Sequence, residues 1–387
     1  MLSAKNDYLH KQILTYLGNK RKLIFNIESV IDMIEHDFGE KIDSIGEGFS
    51  GSGIVSRMLV SKCNKLYTND LAGYSKTLNE CYLQSYNKLT EYDKNKITGL
   101  IKQCNLWMDG INTVIPLVYD KNIPPFIQKY WAPKDDKNIK MNERAYFTTE
   151  NAIRIDRARY FIENYGEKYK IFLLAPLLVE CSIHNNTNGQ FSAYFKDEKA
   201  EKGKFGGKNE IDMNRITSKI ILPNPLLINH DTKVIVEQKD TNEWIKSIDK
   251  VDLIYYDPPY NKHPYNIYYF LLDIINEWNT DIDIPDTYRG QPKNWIKSPW
   301  CSFSKAKKTF EQLITDTKDK TKFLVLSYNN KGIIPLTDME IILKKYGQVY
   351  KIPVEHKTYN KLKGIAAYKR KKKFDKVKEF LWLVDFR

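Results

Sequence analysis

Asp257-Pro258-Pro259-Tyr260 is the segment of this 387-residue chain whose residue types most clearly imply chemistry. Two consecutive prolines fix two φ angles and carry no N–H, so the turn presents the Asp257 carboxylate and the Pro258 carbonyl as a rigid pair of acceptors. An amino group with two N–H donors matches that pair. The exocyclic N6 amine of adenine is such a group, and a poor nucleophile, because its lone pair is delocalised into the ring. Two acceptors pulling on its hydrogens favour a tetrahedral nitrogen aimed at an electrophile such as a sulfonium methyl, with positioning as the main catalytic effect. In a duplex the nucleotide must first be flipped out, and the Tyr260 ring is a natural stacking surface for the extruded base. Taken alone, the tetrapeptide also reads as a plain turn after a strand.

A second group of such residues lies far upstream, in Ile45-Gly46-Glu47-Gly48-Phe49-Ser50-Gly51-Ser52-Gly53. Missing side chains let backbone approach a ligand closely. A phosphate-binding loop needs a lysine after the last glycine, and none follows Gly53. A dinucleotide loop needs a third glycine at a spacing that is absent. A cofactor with a nucleoside and a small charged tail fits, and so does a tight turn that needs small residues for packing. Asp70, one β-α unit later, can accept hydrogen bonds from ribose hydroxyls. Asp70 and Asp240 can each equally be helix caps when considered singly; their order along the chain gives them weight.

Such residues act together only if strands carry them to one edge. Lys41 to Gly46 predicts a strand running into the glycine turn, with helical periodicity resuming at Ile54, and Lys65 to Thr68 a second strand ending at Asp70. Leu23, Ile27, Val30, Ile31 and Ile34 mark an early helix over 20–36. Val251 to Tyr256 is an apolar run expected of a strand buried on both faces, and it delivers Asp257 to the carboxyl edge of the sheet. Lys233 to Val236 and Lys322 to Leu326 predict further strands, and the stretch from Met339 to Phe386 a helix with two or three more. From Gly73 to His230 the pattern changes to helices, including Thr149 to Tyr165 and Lys170 to Ile183, and polar loops. This is too long for one crossover and implies an inserted lobe. Within it Lys196 to Glu210 predicts an exposed, mobile loop.

Lysine and arginine exceed aspartate and glutamate by 61 to 48, a net charge of +13 that would attract a polyanion. The five cysteines, Cys63, Cys81, Cys104, Cys181 and Cys301, form no Cys-x-x-Cys pair, and the six histidines, His184 and His263 among them, are scattered, so no metal site is expected. A reducing cytoplasm fits these thiols. The longest apolar run, Ile171 to Val179, is interrupted by Pro176, which argues against a signal peptide or membrane span.

The whole constellation resembles the Dam-like adenine-N6 DNA methyltransferases, which include modification enzymes of type II restriction systems, and the resemblance covers most of the chain. Tyr16-Leu17-Gly18-Asn19-Lys20 looks like that family's Tyr-x-Gly-x-Lys opening, Phe49-Ser50-Gly51-Ser52-Gly53 like its Phe-x-Gly-x-Gly loop, and Asp257 to Tyr260 like its catalytic tetrapeptide. The resemblance implies an α/β Rossmann-like sheet in residues 1–75 and 231–387, with 76–230 as a mainly helical target recognition region. It implies S-adenosyl-L-methionine as cofactor, bound by Tyr16, Lys20, Glu47, Phe49, Ser50, Gly51, Gly53, Asp70, Asp240 and Asp257. Double-stranded DNA is the implied partner, with a cognate restriction endonuclease acting separately and no membrane or metal. Glu47 departs from the family's Asp and alters the carboxylate's reach. Asn186-Thr187-Asn188-Gly189 and Ser327-Tyr328-Asn329 also match family stretches without an evident role. Lys196, Lys199, Lys202, Lys204 and Lys208, and the run Lys369 to Lys373, fit DNA contact or a solvated surface equally. Two rival classes remain at this point, an RNA adenine methyltransferase and a non-catalytic DNA-binding member of a restriction system. The first commonly carries Asn in place of Asp257, and the second has no need of the glycine loop.

Overall fold

The computed structural model describes residues 2–15, 18–111, 123–197, 201–262, 264–293, 298–354 and 378–387. Seven strands occur within them: β1 (Ser44–Glu47), β2 (Lys65–Asp70), β3 (Lys233–Gln238), β4 (Val251–Tyr256), β5 (Thr321–Asn329), β6 (Gln348–Val354) and β7 (Glu379–Asp385). They form one sheet in the order β3-β2-β1-β4-β5-β7-β6. β1 to β5 pair in parallel, and β7 runs antiparallel between β5 and β6. The strand order reverses between β1 and β4, and open α/β sheets bind ligands at the carboxyl ends flanking such a point. The glycine turn follows β1 and the Asp257 turn follows β4, so both open onto that crevice.

Alternation along the strands feeds two cores, one per face. On β5, Phe323 and Val325 pack with Ile27, Ile31 and Ile34 of the helix Ile24–Asp37. Leu324 and Leu326 pack with Phe310, Leu313 and Ile314 of the helix Ala306–Thr317 on the other side. β7 repeats the pattern, with Leu381 and Leu383 on the first face and Trp382 and Val384 on the second. The apolar run expected to be buried on both sides is β4.

A third core belongs to the lobe that enters after β2 and leaves before β3. It joins the helices Glu91–Met108, Thr149–Tyr165 and Lys170–Ile183 to the helices Gly73–Tyr82 and Tyr265–Glu277, which link the lobe to the sheet. The Thr90 hydroxyl accepts from Asp93 N, and the Asp93 carboxylate from Thr90 N, a reciprocal cap that starts the first of these helices.

Lys196 to Glu210, read from composition as an exposed mobile loop, is anchored over its described part. Gly203, Phe205 and Gly206 are buried, Phe205 within the lobe core, and Lys196 bridges to Gly203. The anchor is Asn186, whose side chain donates to the carbonyls of Ala145 and Lys204 and accepts from Gly206 N. Lysine content describes the surface of this segment, whereas Phe205 and a buried amide 19 residues before it decide its path. Lys199 and Lys369 to Lys373 lie outside the described residues.

Candidate active site

β1 ends at Glu47, and the chain turns into the helix Ile54–Leu59 through a loop that side chains cannot crowd. A Cβ on Gly48 would lie 2.6 Å from Tyr256 Cε1 and 2.7 Å from Thr241 Cγ2, too close for any other residue. Gly53 has φ +74°, a left-handed conformation that glycine adopts without strain. The loop is tied to β2 by hydrogen bonds. Ser50 N donates to Asn69 O at 3.0 Å, and the Asp70 carboxylate accepts from Gly51 N at 2.7 Å and from Ala72 N at 3.0 Å.

Beside this loop lies a cavity of about 350 Å³, within the ~300–1,000 Å³ of small-molecule sites. Six carboxylates line it, those of Glu47, Asp70, Asp240, Asp257, Asp273 and Glu277, with Lys20 the one lysine or arginine among its described lining residues. An acidic cavity in a chain of net charge +13 selects for a cationic ligand. Phe49, Tyr265 and Trp300 add aromatic wall, and Phe49 meets Trp300 edge-on at 5.3 Å.

Crowding of like charges shows in the acidities. Burial pushes the Glu47 carboxyl up to about 8, helped by Asp70 and Asp257 and opposed by a hydrogen bond from the Ser56 hydroxyl. Burial and then the neighbouring Glu277 raise Asp273 to about 8, and its Oδ1 is buried without a hydrogen-bond partner. Asp257 rises to about 6: burial dominates, Lys20 pulls down, and Glu379 pushes up.

Asp257 sits in a buried cluster. Lys20 Nζ is 2.9 Å from Asp257 Oδ1 and 2.8 Å from Glu379 Oε1, at 4% side-chain exposure. Burial works against the Lys20 ammonium, and the two carboxylates outweigh it, so its pKa is raised. The Tyr260 hydroxyl bonds to Lys20 and Asp257 and lies 3.1 Å from Glu379 Oε1. Ser327 Oγ donates to that same oxygen at 3.0 Å.

A buried lysine held by the tetrapeptide's carboxylate, beside a glycine loop and an acidic crevice, is the arrangement against which known proteins can be compared. The family described as D12 class N6 adenine-specific DNA methyltransferase matches residues 16–342. The chain belongs to that family. Among its relatives is the type II methyltransferase M.NlaIII of Neisseria lactamica, 26% identical, with 96% of this chain and 99% of the relative aligned. The type II methyltransferase M.CviAII of Paramecium bursaria Chlorella virus 1 is 26% identical over 89% of this chain and 92% of its own. The type II methyltransferase M.FokI of Planomicrobium okeanokoites is 26% identical over 96% of this chain and 52% of its own length. The rival RNA and non-catalytic readings find no support among these relatives.

In this adenine-N6 DNA methyltransferase the residues expected from sequence are distributed as follows. Lys20, Glu47, Phe49, Ser50, Gly51, Asp70, Asp240, Asp257 and Pro259 line the cavity. Gly53 and Pro258 are not among the lining residues, and Tyr16 lies outside the described residues. Asp240 lines the cavity and also caps the helix Thr241–Ser247, accepting from Asn242 N at 2.9 Å. Tyr260 differs from expectation. It is 6% exposed, its ring packs edge-on against Tyr328 at 5.1 Å, and it does not line the cavity. The aromatic residues that line the cavity are instead Phe49, Tyr255, Tyr265, Phe270 and Trp300. Glu379, Asp273, Glu277, Tyr265 and Trp300 were not singled out from sequence. Glu379 carries one faint signal, a carboxylate heading the apolar strand Glu-Phe-Leu-Trp-Leu-Val-Asp.

Proposed function

We propose that this chain is the modification enzyme of a type II restriction system, transferring a methyl group from S-adenosyl-L-methionine to the N6 amine of a flipped-out adenine in double-stranded DNA. The observation that carries the cofactor reading is the six-carboxylate wall of the cavity. A sulfonium and an ammonium match that wall, whereas a nucleotide phosphate would meet repulsion. Asp70 and Asp240 would hold the nucleoside end, and Glu47, Asp257 and Lys20 the charged methionine end. When bound, the cofactor supplies an electrophilic methyl on a positively charged sulfur.

The chain's own residues do the rest. Asp257 and the Pro258 carbonyl accept the two amine hydrogens and hold the nitrogen lone pair toward the electrophile. Methylation of that amine would leave the nitrogen with one proton too many. Asp257, at about 6, is the base within reach to take it. The acidic wall would hold a cationic cofactor more tightly than a product that lacks the sulfonium charge. Residues 76–230 form the target recognition region, with the cognate endonuclease a separate protein. The test is incubation of the purified chain with radiolabelled S-adenosyl-L-methionine and duplex DNA or RNA, followed by nucleoside analysis. N6-methyladenine in DNA supports the reading; label confined to RNA, or none, overturns it.

A further inference from the structure

Two carboxylates compete for the donors around Asp257, and their arrangement gives Glu379 a task. The Tyr260 hydroxyl has a single proton and stands between Asp257 Oδ1 and Glu379 Oε1 while also meeting Lys20 Nζ. The Lys20 ammonium likewise divides between those two oxygens, at 2.9 and 2.8 Å. Ser327 Oγ, 3.0 Å from Glu379 Oε1, holds that oxygen in place from β5. Glu379 is 6% exposed and lies outside the cavity lining, whereas Asp257 lines the cavity. A carboxylate whose lone pairs are occupied by an ammonium and a phenol is a weak acceptor for an incoming amine.

We propose that Glu379 is a positioning residue that draws the Tyr260 and Lys20 donors off Asp257, leaving the Asp257 carboxylate free to accept the target amine. It touches neither substrate nor cofactor. Two donor arrangements follow: with the phenol proton on the Asp257 side the carboxylate is engaged, and with it on the Glu379 side the carboxylate is available. The proposal rests on the reading of Asp257 as the amine acceptor.

Its consequences reach the pH profile. Asp257 is faced by Lys20 ahead of the first sheet-flanking helix, Glu47 on β1, Tyr255 on β4, Tyr260 in its own turn, Tyr265 on the following helix, Tyr328 on β5 and Glu379 on β7. Of these, Glu379 is the carboxylate whose removal takes away a like charge without touching the cavity. In Glu379→Ala both donors fall on Asp257. Its proton affinity drops, and the acid limb of the kcat profile moves to lower pH even as kcat falls. Glu379→Gln keeps an acceptor oxygen but no charge.

The experiment measures kcat against pH on duplex DNA for the wild type, Glu379→Ala, Glu379→Gln and Asp257→Ala, with calorimetric binding of S-adenosylhomocysteine and thermal melting. Expected is a kcat loss of about tenfold or more in Glu379→Ala and a partial rescue in Glu379→Gln. Both variants shift the acid limb downward by at least half a pH unit and bind S-adenosylhomocysteine within about threefold of wild type. An unmoved acid limb with lowered melting makes Glu379 merely structural and overturns the proposal. A tenfold loss of S-adenosylhomocysteine affinity reassigns it to cofactor binding and also overturns it. Full activity of Asp257→Ala would instead remove the underlying mechanism, a failure distinguishable from the other two.

Discussion

The cavity at the sheet edge and the helical lobe beside it both bury polar side chains, and they use them in opposite ways. In the lobe several of these groups pair with backbone, alongside the side-chain pairs Arg154–Asp109 and Arg159–Glu163. Asp156 accepts from the N–H groups of Phe126, Ile127 and Gln128, at 3.1, 2.7 and 3.1 Å. Arg144 donates to the carbonyls of Tyr130, Pro285 and Thr287, and Arg215 to those of Ile183, Asn185 and Thr187. Long irregular connections have backbone groups with no ladder to join, and buried side chains supply the missing partners. At the sheet edge the backbone is already paired in strands, so Lys20, Glu47, Asp257, Tyr260 and Glu379 bond to other side chains and press like charges together. Satisfied polar groups hold a scaffold; crowded ones store an affinity for whatever cation relieves them.

The contrast can be broken or sharpened by four measurements, from the largest effect down. Asp257→Ala is expected to lower kcat by roughly 10²-fold or more, the scale of losing a transition-state hydrogen-bond partner. S-adenosylhomocysteine affinity should fall far less than kcat, since Glu47 and Lys20 remain at the methionine end; intact turnover would erase the distinction between the two regions. Asp156→Ala should do the reverse. Leaving three lobe N–H groups unpaired costs about 3 kcal/mol of stability in urea unfolding, with kcat per folded molecule unchanged.

The third measurement is stability against pH. Glu47 and Asp273 rise to about 8 and Asp257 to about 6, all above their unfolded values of 4.5 and 3.8. The folded chain therefore binds more protons than the unfolded one between about pH 4 and pH 8. The stability these groups contribute is fullest below that window and declines as pH rises through it. Asp156, pushed to about 7 by burial, contributes the same sign from the lobe. The two regions separate on ligand addition, since S-adenosylmethionine should raise the melting temperature more at pH 8 than at pH 6. An increment equal at both pH values would count against the acidic wall as its binding surface. The smallest effect concerns DNA. Lys202→Glu with Lys204→Glu, both on the anchored lobe segment, should weaken duplex binding and flatten its salt dependence by about one to two ions, leaving cofactor affinity alone.

Much of the sheet was readable because its signals are local. Val251 to Tyr256 is apolar apart from Asp252, and the helices Thr149–Tyr165 and Lys170–Ile183 have the bounds that periodicity implied. The glycine loop and the tetrapeptide were readable for the same reason, since each is a short run of residues with one physical use. What escaped depends on pairs far apart in sequence. Glu379 meets Lys20 across 359 positions, and its identity as a partner exists only once β7 inserts beside β5. The type of Tyr260 suits stacking on a base, while its hydroxyl is held by Lys20, Asp257 and Glu379. Composition reads Lys196, Glu201, Lys204 and Glu210 correctly as exposed but not the buried Phe205 and Gly206, which the Asn186 amide helps to anchor.

Single-molecule sequencing of genomic DNA from a methylation-free host expressing this chain, alongside one expressing Asp257→Ala, tests the central claim most directly. The account expects N6-methyladenine at one short motif with the intact chain and its absence with the variant. Soluble intact protein with no modified adenine, or the same motif methylated by Asp257→Ala, would contradict it.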